Sequence, residues 1–377
     1  MVARIALRPL IRVLTGWRKD QIGESLRLLL KDRLFGGRMP TKGDPFPPIL
    51  FQMATGYWLS QAIYVGAKLG IADLLENGPQ SSIALAAATQ SDARSLFRVL
   101  RALASAGILL QVEEDTFALD RIGYALRSNV IGSLRATVIT IGEIHYHACG
   151  ELLHSVRTGS PAFNRVFGAN LFEYLQQNPE AGVTFNQGMT DLASLLVNAV
   201  LLAYDFSGIT SIVDVGGGEG EFLLSILELH PEMSGIVFDL PGGPCSTESS
   251  SDGAERCSHV AGNFFDSVPE GAQAYMLCGV VHDWSDESAV MILRNCRKAM
   301  PKNGRVLIVE TIVPETNSPS FSKLLDINMM VMTTGRERTR SEFHTLIEAA
   351  DLRITRVIPT LAPQSIIEST PRTRTDR

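Results

Sequence analysis

The spacing of apolar positions divides the chain into a first half that reads as helical and a second half in which short apolar runs alternate with amphipathic stretches. Residues 49–76 predict one or two helices with small residues on a face. The stretch "SSIALAAATQSDARSLFRVLRALASAGIL" predicts a short helix, a turn over Thr89 to Asp92, and a second helix capped at Ser91 or Asp92 and ended by Gly107. Leu109 to Val112 and Thr116 to Leu119, split by the acidic turn Glu113-Glu114-Asp115, complete a winged-helix arrangement. Residues 130–208 read as mostly helical, with a break at Asn178-Pro179. From Ser211 onward strands are predicted over 211–215, 234–239, 258–261, 274–278 and 305–310, with terminal strands near 354–360 and 365–368. Helices are predicted over 219–229, 286–300 and 341–350. Such alternation implies an α/β fold, a doubly wound and mostly parallel sheet with helices on both faces, behind a mainly helical, winged-helix-like N-terminal domain. Ligands then bind at the carboxyl ends of the strands.

Composition narrows the functional classes. The 377 residues suffice for two domains, and 45% hydrophobic with 20% charged residues is ordinary for a globular chain. A net charge of −6 and an acidic wing tip argue against nucleic acid, although Arg94, Arg98 and Arg101 line the would-be recognition helix. No apolar run reaches the ~18 to 20 residues a bilayer span needs, so no stable membrane insertion is expected. Five cysteines without a C-x-x-C pair, and no secretory signal pattern, point to reduced thiols and a cytoplasmic protein. The first forty-two residues hold ten basic residues against three acidic ones, with an apolar helical face from Ile22 to Leu34. A packing arm, a membrane-surface helix and a targeting peptide all fit that segment. Residues 242–258 read as a polar loop.

The candidate chemistry starts at "SIVDVGGGEGEF", residues 211–222. A buried strand runs into glycines and then into a helix, so bare backbone and unpaired N–H groups face a ligand there. Gly216, Gly218 and Gly220 do not make a dinucleotide fingerprint, since Glu221 takes its third position, and the G-K-[ST] of a phosphate loop is missing. Asp239 ends the next strand, where a carboxylate can accept from a ribose diol. Asp214, Glu219 and Glu221 suit a cationic ligand better than an anionic one. A nucleoside carrying a sulfonium, S-adenosylmethionine, fits that description; a tight structural turn is the competing reading. Further on, His282-Asp283-Trp284 follows a strand end and offers a general base. Glu310 at the end of "RVLIVE" and Glu337 in the loop "GRERTRSEF" are carboxylates that can orient the imidazole and stabilise its charged form. His145, His147 and His154 do not read as metal ligands, and no metal is expected.

The segments "DVGGGEGEF", "FDLP", "GNFF", "VVHDWSDE", "GRVLIVETIVPE" and "DINMMVMTTGRERTRSEF", in this order, resemble the cation-independent S-adenosylmethionine-dependent small-molecule O-methyltransferases. That family includes plant caffeate-type enzymes, hydroxyindole O-methyltransferase and bacterial antibiotic-tailoring enzymes. The resemblance covers roughly residues 48–370 and implies a Rossmann-like methyltransferase sheet with an N-terminal dimerisation domain. It implies His282 as catalytic base, flanked by Glu310 and Glu337. It implies a cofactor site of Asp214, Gly216, Gly218, Gly220, Asp239, Leu240, Asn263, Phe264 and Cys278. Asn263 stands where the family usually has an aspartate beside the adenine, and Cys278 where many members have a lysine or another polar residue. Met189, Asp283, Asn328 and Met329 match the acceptor pocket, and Ala193 stands where some members present a serine. The implied division is a basic extension and linker over 1–47, a dimerisation domain over 48–130 and a helical connector lining the acceptor pocket over 131–208. The catalytic domain then occupies 209–370 and a polar tail 371–377. The expected reaction methylates a hydroxyl, phenolic in the leading reading, of a small aromatic or natural-product intermediate, in a homodimer. The alternatives are a divergent hydroxylation or pericyclic reaction on the same fold, and a winged-helix DNA-binding regulator.

Overall fold

The structure is a computed structural model that describes residues 48–240 and 253–372. The basic N-terminal segment, most of the polar loop and the end of the tail lie outside the described residues. By internal contacts the described residues form two compact units, residues 48–147 with 175–192, and residues 148–174 with 193–372. The expected connector over 131–208 is therefore divided between the two.

In the first unit the helices Pro48–Ala54, Gly56–Lys68 and Ile71–Leu74 take up the stretch expected to hold one or two. Helices Ser82–Thr89 and Ala93–Ser105 follow, the second capped by Asp92, whose Oδ1 accepts from Ser95 N at 2.8 Å. Leu96, Leu100 and Leu103, at i, i+4 and i+7, are buried from Ala93–Ser105, while its arginines stay outside the core. Strands β1 (Gln80–Ser81), β2 (Leu109–Glu113) and β3 (Thr116–Leu119) form an antiparallel sheet in the order β1-β3-β2, closing over Phe117, Leu85 and Leu100. The helix pair with its hairpin is the winged-helix-like unit expected.

The second unit is built on strands β4 (Ser211–Val215), β5 (Ser234–Asp239), β6 (Cys257–Ala261), β7 (Ala274–Cys278) and β8 (Arg305–Val313), all parallel, in the order β8-β7-β4-β5-β6. A short strand β9 (Arg338–Thr339) pairs with the end of β8. The terminal strands β10 (Leu352–Pro359) and β11 (Gln364–Pro371) add to the β8 edge as an antiparallel hairpin. Successive residues of the central strands feed opposite cores. Val213, Val215, Tyr275, Leu277, Val306 and Ile308 pack with helices Asp286–Ala299 and Arg340–Ala349. Ile212, Ala274, Met276, Leu307 and Val309 pack with helix Glu221–Leu229 and with Val197 and Val200. Burial on both faces is why these runs read as continuously apolar.

Three local expectations are corrected. The strand expected to end at Glu310 runs on to Val313, because β9 gives its last residues a partner. The first helix of the sheet begins at Glu221, not Glu219, because Gly220 at φ +85° is still outside the helix. A helix not read from the sequence, Phe321–Met332, lies between β8 and β9, capped by Ser320.

Candidate active site

Strand order places the site. Strand β4 continues to β5 on one side and the chain returns through β7 on the other, so a crevice opens beyond the carboxyl ends of β4 and β7. The glycine turn follows β4 and the His282 turn follows β7.

In the glycine turn Gly216, Gly218 and Gly220 have φ of +75°, +56° and +85°, a region open to glycine and costly for other residues. A Cβ at Gly216, Gly217 or Gly220 would fall within 2.8 Å of Val280, Asp214 or Val237 respectively, whereas one at Gly218 meets nothing within 4 Å. The turn is thus packed on three sides and open at Gly218. Asp239, the last residue of β5, accepts from Gly218 N at 2.8 Å through Oδ2 and from Leu240 N at 2.7 Å through Oδ1. Both oxygens keep a further lone pair. Phe264 reaches the same turn, 3.8 Å from where a Gly216 Cβ would stand, and stacks edge-on against Phe265 and Trp284. Asn263 is exposed, and its Oδ1 already accepts from Phe265 N at 3.0 Å.

Acidic groups line this sheet edge from β5 through β4 and β7 to β8. Burial, and then the nearby Asp239 carboxylate, push Asp214 up to about 7. Burial, followed by Asp214 and Glu310, also raises the thiol of Cys278, at the end of β7. Carboxylates that repel one another in a low-dielectric crevice favour a cation beside them. The open glycine, the free lone pairs on Asp239 and this acidic row fit a nucleoside bearing positive charge.

His282 sits in a single 3₁₀ turn, Val281–Asp283. Its Nδ1 lies 2.7 Å from Glu337 Oε1 and 3.5 Å from Glu310 Oε2, and its backbone N–H donates to Glu310 Oε1 at 3.2 Å. Both glutamates are buried, and a fifth of the imidazole is exposed. Nε2 has Asp283 Oδ1 at 3.9 Å. Burial pulls the imidazole down, but Glu310, Asp283 and Glu337 outweigh it and push it up to about 10. Burial raises Glu310 to about 7. The donor atoms of His282, Glu310 and Glu337 lie within 4.8 Å of one another, the one grouping among the described residues with the spacing of a metal site; His145, His147 and His154 form none. In the neutral ring the Nδ1–Glu337 contact makes Nδ1–H the donor and puts the lone pair on Nε2, whereas in the imidazolium both nitrogens carry a proton.

The structure thus gathers His282, Asp283, Glu310 and Glu337 into one cluster, with Asp214, Gly216, Gly218, Gly220, Asp239, Leu240 and Cys278 at the ends of β4, β5 and β7; Asn263 and Phe264 follow β6, and of these two Phe264 reaches the glycine turn. Asn328 and Met329 lie on helix Phe321–Met332, Met329 buried and Asn328 half-buried. Met189 belongs to the other compact unit, on helix Pro179–Ala203. Sequence reading missed two contributors. Asp326 accepts from Glu337 N at 2.9 Å, and Arg338 holds the backbone around His282. The capping-box spacing Thr339-x-x-Glu342, both halves of which form, was the available signal that an ordered junction follows Glu337; nothing local marks Asp326.

Comparison with known proteins agrees with this geometry. Residues 149–353 match the O-methyltransferase domain family, and residues 51–127 match the O-methyltransferase dimerisation domain. The chain is 42% identical over 332 residues to the phenazine O-methyltransferase PhzM of Lysobacter antibioticus, covering 87% of this chain and 97% of that protein. It is 35% identical to the 8-amino-8-demethylriboflavin N,N-dimethyltransferase of Streptomyces davaonensis, covering 85% and 94%. Among solved structures, CalO1, a methyltransferase in calicheamicin biosynthesis with SAH bound, superposes with a TM-score of 0.76 at 35% identity, covering 86% and 97%. The chain belongs to the O-methyltransferase family and is an S-adenosylmethionine-dependent O-methyltransferase with an N-terminal dimerisation domain. Neither alternative, a divergent reaction or a DNA-binding regulator, finds support among these relatives. Among the described residues no helix is long and apolar enough to cross a membrane.

Proposed function

We propose that the chain methylates a hydroxyl, phenolic in the first instance, of a small aromatic natural-product intermediate, with His282 as general base and with the chain working as a homodimer. The observation that carries this reading is the imidazole held at Nδ1 by Glu337 at 2.7 Å, an arrangement that puts the lone pair on Nε2 once the ring is neutral. When bound, S-adenosylmethionine supplies an electrophilic methyl group on its sulfonium. Gly218 and Asp239 would hold its nucleoside and amino-acid parts, Phe264 would pack beside the base, and Asp214 would lie near its positive charge. A phenol has a pKa of about 10 and is mostly neutral at pH 7, so a base is needed at the acceptor oxygen. His282 takes that proton at Nε2. Glu337 keeps the ring in the Nδ1–H tautomer, and Glu310 and Glu337 stabilise the imidazolium once it forms. Asp283, Asn328 and Met329 are proposed to shape the acceptor pocket. The acceptors in the names of the two relatives, a phenazine and a riboflavin derivative, are aromatic, which supports the substrate class.

The test is turnover of labelled S-adenosylmethionine with a panel of phenols and matched aromatic amines, read by mass spectrometry. His282→Ala should lower kcat roughly a hundredfold or more, the scale of a lost general base, with cofactor affinity unchanged. Near-native phenol methylation by that variant would remove His282 from the chemistry, and transfer to amines alone would overturn the oxygen acceptor.

A further inference from the structure

We propose that Arg338 is the positioning residue that aims the His282 imidazole, acting through the backbone of the turn that carries it. Arg338 is fully buried, and its guanidinium makes four hydrogen bonds and one further close ionic contact within one small neighbourhood. Nη1 donates to Val281 O at 3.0 Å and to Arg336 O at 3.4 Å. Nη2 donates to Trp284 O at 2.8 Å, and the fork of Nε and Nη2 meets Asp286 Oδ1, each at 2.8 Å. Val281 and Trp284 are the residues on either side of His282-Asp283, so the fork grips both ends of the catalytic turn.

The same segment fixes the other partner of the imidazole. Arg338 directly follows Glu337, and its own backbone is tied to Ile312 in the β8–β9 pairing. Arg336 N donates to His282 O at 2.8 Å, and Gly335 lies so close that a Cβ there would stand 1.8 Å from the same carbonyl. One residue therefore ties the imidazole's turn and the Glu337 carboxylate to a common point. A buried charge needs compensation. Here the anion is Asp286, half-exposed at the start of the helix Asp286–Ala299. Lysine cannot reproduce the arrangement, because a single ammonium lacks the planar fork that spans three carbonyls and a carboxylate.

This inference rests on His282 being the base, and the experiment separates the two. Arg338→Lys should lower kcat roughly tenfold to a hundredfold, the scale of an ångström of misplacement at a reacting group. Affinity for S-adenosylmethionine should stay within about twofold, and the rising limb of the pH–rate profile should move to lower pH as the imidazole parts from Glu337. Asp286→Asn, a change at a half-exposed site, should move kcat and the pH limb the same way by a smaller factor, and it decides the matter if the lysine variant fails to fold. Free guanidinium should restore part of the kcat of Arg338→Ala, where sodium chloride at equal ionic strength does not. In a His282→Ala background, Arg338→Lys should cost almost nothing further. Native kcat and pH profile in Arg338→Lys or Asp286→Asn, or a fall in kcat matched by an equal loss of cofactor affinity, overturns the positioning role. If instead His282→Ala itself stays active, it is the base assignment that fails.

Discussion

The imidazole of His282 faces three carboxylates, and that arrangement sets when it can act as a base. Burial alone would lower its pKa, but Glu310, Asp283 and Glu337 together hold it up to about 10. The sign follows. A raised pKa means the charged form is favoured in the folded protein, so the stability it contributes is complete below about pH 6.5 and is lost as pH rises toward 10. Turnover needs the opposite form, with the Nε2 lone pair free. We therefore expect kcat/KM to climb with pH from neutrality into the alkaline range, with an apparent pKa well above the 6.5 of an ordinary histidine. His282, Asp283 and Glu310 shift one another, so the limb belongs to the cluster. Glu337→Gln removes the charge nearest Nδ1. It should shift the limb to lower pH and reduce the plateau by roughly tenfold, because the tautomer and ring orientation lose their anchor. A limb at its native position in that variant would show that the carboxylate does not tune the base.

At the scale of elements, the glycine turn and the capped junction after Glu337 make separable predictions. Gly216 and Gly218 both hold left-handed backbone, where a residue with a Cβ costs roughly 1–2 kcal/mol. At Gly216 the added methyl also meets Val280 at 2.8 Å, while at Gly218 it projects into open space. Gly216→Ala should therefore lower Tm by several degrees more than Gly218→Ala, at about 2–4 °C per kcal/mol for a domain of this size. Gly218→Ala should instead weaken S-adenosylmethionine binding about tenfold or more in calorimetry, since a Cβ there takes the space the cofactor needs. Equal effects of the two on binding and Tm would mean that the open side of the turn faces no ligand. These glycines were legible from sequence because the signal is local, a strand, a turn and a helix in twelve residues. So was His282, one short turn after an apolar strand. Of the imidazole's bracing, the flanking Glu310 and Glu337 were legible and the residues behind them were not. Asp326, Asp286 and Arg338 come from three separated segments, and only strand order brings them to one place. The antiparallel sense of β10 and β11 escaped for a related reason: an apolar run marks a strand without giving its direction.

The molecule-scale counterpart of the active-site cluster lies elsewhere on the same sheet, where a buried carboxylate with partly exposed arginine partners serves stability. Glu368 on β11 accepts from Tyr204 Oη at 2.5 Å and from Thr355 Oγ1 at 2.7 Å, and pairs with Arg356 of β10 at 2.6 Å. Arg305, at the start of β8, lies 3.6 Å from the same carboxylate and donates to Tyr204 Oη at 3.3 Å. The contacts join three strands to the segment leading into β4. Burial opposes ionisation of Glu368, yet Arg356, Tyr204 and Thr355 more than reverse it and hold its pKa down to about 2. A depressed carboxylate stabilises the fold above its unfolded value of 4.5, and that contribution is lost as pH falls from there toward 2. The difference corresponds to roughly 3 kcal/mol, enough to matter against a typical net stability of about 5–15 kcal/mol. Unlike the His282 cluster, whose protons must move during turnover, this network holds one protonation state across the neutral range. Glu368→Gln should accordingly destabilise the protein at pH 7 by an amount that shrinks steadily between pH 5 and pH 2, where the native side chain is itself being neutralised. Urea melts at a series of pH values measure this directly. A penalty that stayed constant down to about pH 2 would mean that the carboxylate acts through packing and shape, and that its charge contributes nothing to holding β8, β10 and β11 together.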